Sequence, residues 1–212
     1  MVKKGIPKAV LCRLPIYLGY LKILPVNAPS NISATAIASA LKMGDVQVRK
    51  DLALVSSSGK PKIGYVVSCL IEDLEVFLGY KVINNAVIVG AGKLGKALLE
   101  YKGFEDYGIN IVAAFDNNEK LQGTTENGKQ IFSIKKFKDL CERLKIKIGI
   151  ITVPSEYAQS VCNMMIENGI LAIWNFAPTH LDVPENILVQ NENMASSLAL
   201  LFNHLTEQLN DN

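Results

Sequence analysis

The sequence lacks several features that would place the chain in a membrane or outside the cell. No apolar run approaches the ~18 residues that a membrane-spanning helix requires, so we expect no membrane span. The first eight residues are basic, but Arg13 and Pro15 interrupt the apolar positions that follow. That interruption is not typical of a secretory signal, and we predict a cytoplasmic protein.

Cysteine and histidine are scarce, with four cysteines and two histidines in 212 residues. The cysteines form no C-x-x-C pair and have no histidine nearby, so the spacing typical of zinc sites is missing. They are Cys12, Cys69, Cys141 and Cys162. We predict four reduced, packed thiols and no metal site.

Negative charge is nearly absent from the first third of the chain. Residues 1–65 carry ten Lys and Arg against only two acids, Asp45 and Asp51, a formal charge of +8. Residues 66–212 carry twelve against eighteen, a formal charge of −6. This asymmetry predicts that the N-terminal part binds a polyanion, the alternative being two ordinary domains with unequal solvated faces.

Helical spacing dominates the basic N-terminal part. Apolar residues recur at helical intervals over 6–24, Ser33 is placed to cap a short second helix, and 42–44 form a tight turn. Asp45 can cap a third helix that runs to about residue 55. A short helix after a tight turn is typical of a helix-turn-helix.

The third helix has an apolar side and a polar, basic side. If Val48 points inward, Gln47 and Arg49 flank it and Lys50 points away. Arg and Gln side chains can bind the edges of guanine and adenine, whereas Lys is better suited to phosphate. We interpret this as a recognition helix, the alternative being an ordinary solvated helix face.

A polar, basic and hairpin-like segment, residues 56–65, follows the third helix and is called the wing below. Three helices, a basic loop and a return strand make a winged helix, whose wing brings Lys60 and Lys62 to the DNA backbone or into the minor groove. Another amphipathic helix covers about 66–80. We predict a winged-helix DNA-binding domain over 1–80.

The stretch from Asn85 to Leu99 changes from an apolar strand to a helix through a glycine-rich bend. Gly90 permits the tight turn, Gly92 lets the backbone approach a pyrophosphate, and Gly95 lets the helix pack on the strand. N–H groups at the helix start are then available to the anion. This order is the dinucleotide-binding fingerprint, the alternative being a glycine loop used only for packing.

The next apolar run, 109–115, ends at Asp116, which lies 26 residues after Gly90. A carboxylate there can accept hydrogen bonds from both ribose hydroxyls of an adenosine, and it repels a 2′-phosphate. The sequence therefore favours NAD(H) over NADP(H).

Apolar runs and helical segments alternate beyond that point, which predicts an α/β fold with a Rossmann-type, doubly wound parallel sheet over 81–192. Its ligand crevice lies at the C-terminal ends of the strands, where 152–154 and 175–178 fall. The last helix, about 194–209, has one apolar stripe, which we expect to form a dimer contact rather than to pack on its own sheet. We therefore predict a dimerisation segment over 193–212.

These parts and their local motifs resemble the Rex family of redox-sensing transcriptional repressors over nearly the whole chain. The N-terminal motifs are Arg13-Leu14-Pro15 with Tyr17, Gln47-Val48-Arg49-Lys50-Asp51-Leu52, and Gly64-Tyr65. The later motifs are Val89 to Gly95, Tyr101, Gly103-Phe104, Val112 to Asp116, Val153-Pro154, and Asn175 to Pro178. The combination is specific because these two domain types rarely occur side by side.

The resemblance implies a homodimer that binds operator DNA when NADH is scarce and leaves it when NADH binds. NADH/NAD+ is then an effector ligand, and no reaction is catalysed. The resemblance also implies that the nicotinamides lie near the dimer interface, that the terminal helix is exchanged between subunits, and that NADH closes the Rossmann domains and changes the spacing of the DNA-binding domains.

Motifs and resemblance together give two sets of predicted contacts. The nucleotide contacts are Gly90, Ala91, Gly92, Lys93, Leu94, Gly95, Tyr101, Asp116, Asn117, Thr152, Val153, Pro154, Asn175, Phe176, Ala177 and Pro178. The DNA contacts are Ser33, Gln47, Arg49, Lys50, Ser57, Gly59, Lys60 and Lys62.

The chain departs from the family pattern in three places. Gly19 stands where many members have an arginine, and Asn193 stands where an aspartate is usual. In the family these two charges, with the tyrosine that matches Tyr101, belong to contacts that differ between the two states. Losing both removes a possible ion pair without leaving either partner unpaired. Around the wing, residues 54–56 and Lys62 replace an aromatic pair and glycines.

Three alternatives stay open at this point. The departures leave open a DNA-binding paralogue with a weakened NADH response, and a DNA-binding protein whose nucleotide fold serves only as a dimerisation scaffold. A small NAD-dependent oxidoreductase would need a proton donor beside the nicotinamide and a substrate pocket. His180 follows the 175–178 loop, but His204 lies in the last helix and no substrate domain follows the Rossmann part.

Overall fold

The chain divides into two compact units, Met1–Val82 and Ile83–Asn212. The computed structural model describes residues 6–82 and 84–210, except for the side chains of Lys8 and Asn210. In this division the last helix belongs to the second unit. The three-part division into 1–80, 81–192 and 193–212 stays a prediction.

Over residues 6–82, the first unit has four helices and a small two-stranded sheet. In chain order they are α1 (Lys8–Lys22), β1 (Asn31–Ile32), α2 (Ala34–Ala40), α3 (Asp45–Val55), β2 (Tyr65–Val66) and α4 (Val67–Leu78). The two strands pair antiparallel. Ser33 caps α2 as predicted, since its hydroxyl oxygen accepts the N–H of Ala36 at 3.0 Å.

The core of the first unit lies between these helices. Val48 and Leu52 of α3 are fully buried, as the spacing of α3 predicts. The largest side chains packed around them are Leu14, Tyr17, Leu21, Ile37, Leu70 and Leu74. This packing leaves the opposite side of α3 exposed.

The second unit is built on a seven-stranded sheet in the order β5-β6-β4-β3-β7-β8-β9. The strands are β3 (Asn84–Val89), β4 (Ile109–Asp116), β5 (Gly123–Thr124), β6 (Gln130–Ser133), β7 (Ile148–Ile151), β8 (Ala172–Asn175) and β9 (Leu188–Asn191). The helices are α5 (Lys93–Glu100), α6 (Phe137–Leu144), α7 (Ser155–Glu167) and α8 (Met194–Asn210), with short 3-10 helices at Lys102–Tyr107, Glu119–Leu121 and Ile134–Lys136.

All strand pairs of this sheet are parallel except β5 with β6. The predicted α/β class and parallel, doubly wound sheet are therefore confirmed. The two-residue strand β5 and the 3-10 helix at Lys102–Tyr107 are absent from the prediction, because short segments have no periodicity that the sequence could show.

Alternate residues of the central strand β3 face two separate cores. Val87 and Val89 pack with residues of α6 and α7 on one face of the sheet. Ala86 and Ile88 pack with Leu99 of α5 on the other face. Because a strand turns successive side chains to opposite faces, both faces of β3 are covered.

The terminal helix α8 differs from the rest, because all its described side chains are exposed. The predicted apolar stripe is Met194, Leu198, Leu201, Phe202, Leu205 and Leu209, and each of these side chains is at least 50% exposed. Within the described residues, no α8 side chain belongs to a buried apolar cluster.

The four cysteines are free thiols with different surroundings. Cys141 and Cys162 are buried, and burial raises the pKa of Cys141 to about 11. Cys12 and Cys69 are exposed, so the prediction that all four thiols are packed is wrong for this pair. Their positions on helices that bury only one face explain the difference. Over residues 6–82 and 84–210, no helix is long and apolar enough to cross a membrane.

Candidate functional site

A cavity of about 530 Å³ lies where β3, β4 and β7 end. We call it the nucleotide cleft. The predicted contacts that line it are Gly90, Gly92, Asp116, Asn117, Thr152, Val153 and Pro154. Asn118, Leu121, Ile134 and three α7 residues, Tyr157, Ser160 and Val161, also line the cleft and were not predicted. Parallel strands bring their C-terminal ends to one edge of the sheet, which is why contacts far apart in sequence meet here.

The glycine-rich loop has the geometry that its sequence predicts. Gly90 has a φ of +104°, a left-handed conformation that favours glycine. A Cβ at Gly95 would overlap the carbonyl oxygen of Gly90, so α5 approaches the loop as closely as backbone permits. A Cβ at Gly92 would have no atom within 4 Å. Gly92, the N-cap of α5, therefore faces open space in the cleft.

Thr152 fixes this loop from the neighbouring strand. Its hydroxyl donates to the carbonyl oxygen of Gly90 at 2.7 Å and shares the proton with the carbonyl of Val89 at 3.2 Å. The predicted contact Thr152 thus lines the cleft while its hydroxyl is used to hold the loop. These contacts tie the loop to β7.

The carboxylate of Asp116 holds the other side of the loop. One oxygen accepts the backbone N–H of Ala91 at 2.7 Å, and the other accepts that of Asn118 at 2.8 Å. An ionised carboxylate has about four lone-pair sites, so acceptor capacity remains for ribose hydroxyls. Asp116 therefore combines two properties that suit an adenosine ribose: negative charge and a fixed position at the end of β4.

The other predicted nucleotide contacts lie around the cleft or away from it. Lys93 and Leu94 form the first turn of α5. Asn175 is fully buried: its amide donates to the carbonyls of Ala177 and Thr179 and to the side chain of Asn191, at 2.8–3.2 Å. Its own oxygen accepts the N–H of Ala177. This side chain shapes the 175–178 loop from inside.

Four aromatic side chains connect that loop to the predicted contact Tyr101. Ring centroids are 5.0 Å apart between Tyr101 and Phe104, 5.8 Å between Phe104 and Trp174, and 4.5 Å between Trp174 and Phe176. The indole N–H of Trp174 donates to Glu192 at 3.0 Å, just before α8 begins. This chain of rings was not predicted, since its members come from distant parts of the sequence.

A second, apolar cavity of about 380 Å³ lies beside these rings, on the face of the sheet that α5 covers in part. Its lining includes Ile111 of β4, Ile150 of β7 and Trp174 of β8. No predicted contact lines it. An apolar concavity on a sheet face is suited to another apolar surface rather than to a nucleotide.

The predicted DNA contacts all lie in the first unit. Gln47, Arg49 and Lys50 are exposed on α3, and Ser57, Gly59, Lys60 and Lys62 are exposed in the wing. The wing is closed by a backbone bridge between Lys60 and Gly64, as a hairpin-like segment requires. Ser33 is exposed too, although its oxygen already caps α2.

One prediction about α3 is wrong. Gly44 is its N-cap and Asp45 is its first helical residue, with no side-chain cap. The Asp45 carboxylate instead accepts hydrogen bonds from Thr35 at 2.8 Å and from Arg49 at 2.7 Å. Two competing donors within reach of the side chain explain the difference.

The inner side of α3 carries a charged group that sequence reasoning missed. Asp51 is only 3% exposed, and it accepts two hydrogen bonds from Arg13 and one from Tyr17. Its position next to Leu52 and three residues after Val48 puts it on the apolar side of the helix. The spacing of Asp51 from Val48 and Leu52 was therefore the sequence feature that could have predicted its burial.

Known protein families match both units. Residues 5–53 match the family described as "Putative DNA-binding protein N-terminus", and residues 82–179 match the family described as "CoA binding domain". The redox-sensing transcriptional repressor Rex of Bacteroides thetaiotaomicron is 42% identical over 94% of this chain and 91% of its own length. The chain belongs to the Rex family of redox-sensing transcriptional repressors. The resemblance stated from the sequence is thereby confirmed.

Solved structures of a Rex-family repressor, RSP, have the same fold. RSP in complex with beta-NAD+ and operator DNA is 33% identical, covers 97% of this chain and 95% of its own, and has a TM-score of 0.89. RSP in complex with beta-NADH covers 97% of each chain with a TM-score of 0.85. The fold of this Rex-family chain is therefore known over nearly its whole length.

Proposed function

We propose that this chain is a repressor that binds operator DNA with α3 and the wing, and that gives up the DNA when NADH occupies the nucleotide cleft. The observation that carries the proposal is the presence, in one Rex-family chain, of a basic recognition surface and a glycine-rich loop whose Ala91 N–H donates to the Asp116 carboxylate. NADH/NAD+ is the effector and operator DNA is the partner.

The geometry of the cleft supports a specific orientation of the nucleotide. The open space at Gly92 and the N-terminus of α5 suit the pyrophosphate, because unpaired N–H groups there bind anions. Asp116 suits the adenosine ribose, and a 2′-phosphate would meet its negative charge. Thr152, Pro154 and the 175–178 loop would then hold the nicotinamide.

The first unit supports the DNA-binding half of the proposal. Its polar helix face presents Gln47 and Arg49 to base edges and Lys50 to phosphate. The wing presents Lys60 and Lys62 to the backbone or the minor groove. The Rex relatives are bacterial, and operator DNA in bacteria lies in the cytoplasm, so this role also supports the cytoplasmic location predicted from the sequence.

The chain is a regulator and not an enzyme. Its relatives are named as transcriptional repressors, and the solved Rex-family structures are of a repressor. The nucleotide therefore acts as a ligand whose binding energy changes the affinity for DNA. A coupling of only about 1–3 kcal/mol between the two ligands is enough for such a switch.

The experiment is a DNA-binding titration. A duplex is selected by the purified chain from a random-sequence library, and its binding is measured by fluorescence anisotropy with increasing NADH or NAD+. We expect salt-sensitive binding that weakens as NADH rises and changes less with NAD+. Equal affinity with saturating NADH and with none would contradict redox sensing, and failure to select any sequence would contradict operator binding.

We also propose that the chain acts as a homodimer in which α8 covers a partner subunit. Every residue of its apolar stripe is at least half exposed, and the sheet face beside Trp174 carries an apolar cavity. An α8 helix from a second copy would remove both surfaces from water. The exchange of this helix that the family resemblance implies fits this arrangement.

Substitutions in α8 test the dimer. Leu201→Glu with Leu205→Glu places two charges in the stripe, and Asn203→Glu places one on the opposite side of the helix. Sedimentation analysis should give a monomer for the first variant, with loss of operator binding, and a dimer for the control. A double variant that stays dimeric would exclude α8 from the interface.

A further inference from the structure

Asp45 is the only exposed acidic side chain that residues 6–65 contain. The other acid there, Asp51, is buried against Arg13 and Tyr17. The side chain of Asp45 is 39% exposed and lies in the first turn of α3, among the predicted DNA contacts. A carboxylate in this position repels phosphates and lowers the affinity for DNA of any sequence.

The two oxygens of Asp45 have different partners. Oδ1 accepts the hydroxyl of Thr35 at 2.8 Å, which ties α3 to α2. Oδ2 accepts Nη2 of Arg49 at 2.7 Å, one helical turn further along α3. Thr35 therefore fixes the carboxylate, and the carboxylate fixes the guanidinium of Arg49.

Asp45 suits the first turn of α3, but the ion pair with Arg49 contributes little to the stability of the helix. Arg49 is 62% exposed, and an exposed ion pair one helical turn apart adds little to stability. The pair does favour one geometry of a long side chain. A guanidinium has five N–H donors, so the others stay available for the two acceptors of a guanine edge.

We propose that Asp45 is a positioning residue that sets operator specificity by aiming Arg49 at a guanine edge and keeping it from phosphates. This inference rests on the proposed function and adds which residue makes the reading selective. A fixed arginine binds a base edge without first losing its conformational freedom. A free arginine on the same surface binds any nearby phosphate, which carries no sequence information.

The proposal predicts effects of opposite sign on specific and non-specific DNA. Asp45→Asn removes the repelling charge and releases Arg49. We expect binding to a scrambled duplex to tighten about threefold because one repelling charge is lost. Discrimination between the selected operator and the operator with its contacted guanine replaced by adenine should fall about twofold, which is the effect that a weak exposed pair can have by holding Arg49. A purely structural role of Asp45 would weaken all duplexes together.

The experiment measures the unsubstituted chain, D45N, R49A and the double variant against three duplexes by fluorescence anisotropy. The duplexes are the operator selected from a random library, the guanine-substituted operator and a scrambled sequence. Because Asp45 acts through Arg49, D45N should change discrimination little once R49A is present. Thr35→Val tests the first link in this chain of contacts: it removes the hydrogen bond that holds the Asp45 carboxylate and keeps the charge, so the discrimination should lie between those of the unsubstituted chain and D45N.

The outcomes separate this inference from the proposed function. An unsubstituted chain that selects no sequence would remove the proposed function and this inference with it. Operator selection by the unsubstituted chain with undiminished discrimination by D45N, or additive effects in the double variant, would overturn the role of Asp45 alone. Thermal unfolding of each variant shows that the comparison is between folded proteins.

Discussion

The buried carboxylate of Asp51 is held by the guanidinium of Arg13, with N–O distances of 2.7 and 3.0 Å. This bidentate contact joins the recognition helix α3 to α1. The hydroxyl of Tyr17 donates to the same carboxylate at 2.8 Å. The hydrogen bond to Asp51 raises the pKa of Arg13 above its ordinary value, so the guanidinium stays charged. These contacts set the position of α3, and with it the orientation of the DNA-reading residues.

Tyr17 should make the stability of the first unit depend on alkaline pH. Burial, and next the hydrogen bond to Asp51, raise its pKa from 10.0 to about 12. The folded state therefore keeps a proton that the unfolded state loses, and the stabilisation is complete below pH 10.0 and lost as the pH rises through about 12. We expect the free energy of unfolding in urea, followed by circular dichroism, to fall over this range.

Tyr17→Phe is the control for that titration. It should cost about 1.5–3 kcal/mol at neutral pH, because a hydrogen bond to a charged group is lost. Its unfolding free energy should then fall less steeply in alkali than that of the unsubstituted chain. Parallel curves for the two proteins would mean that another group carries the alkaline dependence.

Gly92 and Gly95 should respond differently to alanine. At Gly92, with a φ of −66° and no atom within 4 Å of an added Cβ, alanine should leave stability within about 0.5 kcal/mol. It should still weaken NADH binding at least about tenfold, because the methyl group occupies the path of the pyrophosphate. At Gly95 the methyl group meets the Gly90 carbonyl, so about 1–3 kcal/mol of stability should be lost.

Calorimetric titration with NADH and thermal unfolding of both variants check these expectations. Tight NADH binding by Gly92→Ala would place the pyrophosphate elsewhere. An unchanged unfolding temperature for Gly95→Ala would show that α5 can shift away from the loop.

Local patterns predicted the glycine loop, the alternation of strands and helices, and the position of Asp116, because each depends on neighbours in sequence. Helical spacing places Asp51 on the apolar side of α3, but its partner Arg13 lies 38 residues away, and periodicity does not identify that partner. The same holds for the contact between Trp174 and Phe104. The amphipathic stripe of α8 was predicted, but a stripe does not identify the surface that covers it.

Asp116 should determine the choice between NADH and NADPH. Asp116→Ala removes the acceptor for the ribose and the bond that holds Ala91. We expect a loss of about 1.5–3 kcal/mol in NADH binding. NADPH binding should lose less, or gain, because the repulsion of the 2′-phosphate disappears as well. Calorimetry with both nucleotides gives the ratio, and equal losses would contradict a role in selection.

Replacing Lys62 of the wing by glycine should stabilise the protein and weaken its binding to DNA. The φ of Lys62, +66°, is left-handed, as is that of Lys145 at +51° after α6 in the second unit. Lys→Gly at either position should raise the free energy of unfolding by about 0.5–1 kcal/mol, because the strain disappears. Only Lys62→Gly should weaken DNA binding and reduce the slope of log K against log salt by about one. Equal DNA binding by both variants would exclude Lys62 as a phosphate contact.

Asn193 caps the start of α8, as the aspartate that is usual at this position in the family would. Its side-chain oxygen accepts the N–H of Ser196 at 2.9 Å, the bond expected of an N-cap. Asparagine and aspartate cap helices about equally well, so the change removes a charge and keeps the cap. At Gly19 an added Cβ would have no atom within 4 Å, so a larger side chain fits there.

Restoring both charges should strengthen the NADH response. The resemblance to the Rex family implies that an arginine and an aspartate at these positions belong to contacts that differ between the DNA-bound and NADH-bound states. Gly19→Arg with Asn193→Asp should therefore increase the coupling between NADH and operator DNA by about 1–3 kcal/mol, measured as the ratio of operator Kd values with and without saturating NADH. Each single substitution leaves one charge without its partner and should give less than half of that gain.

Gly19→Ala is the matched control: it should add about 1 kcal/mol to helix stability and leave the ratio of Kd values unchanged. Additive effects of the two single substitutions would mean that the restored charges act independently, and that this chain changes state through other contacts.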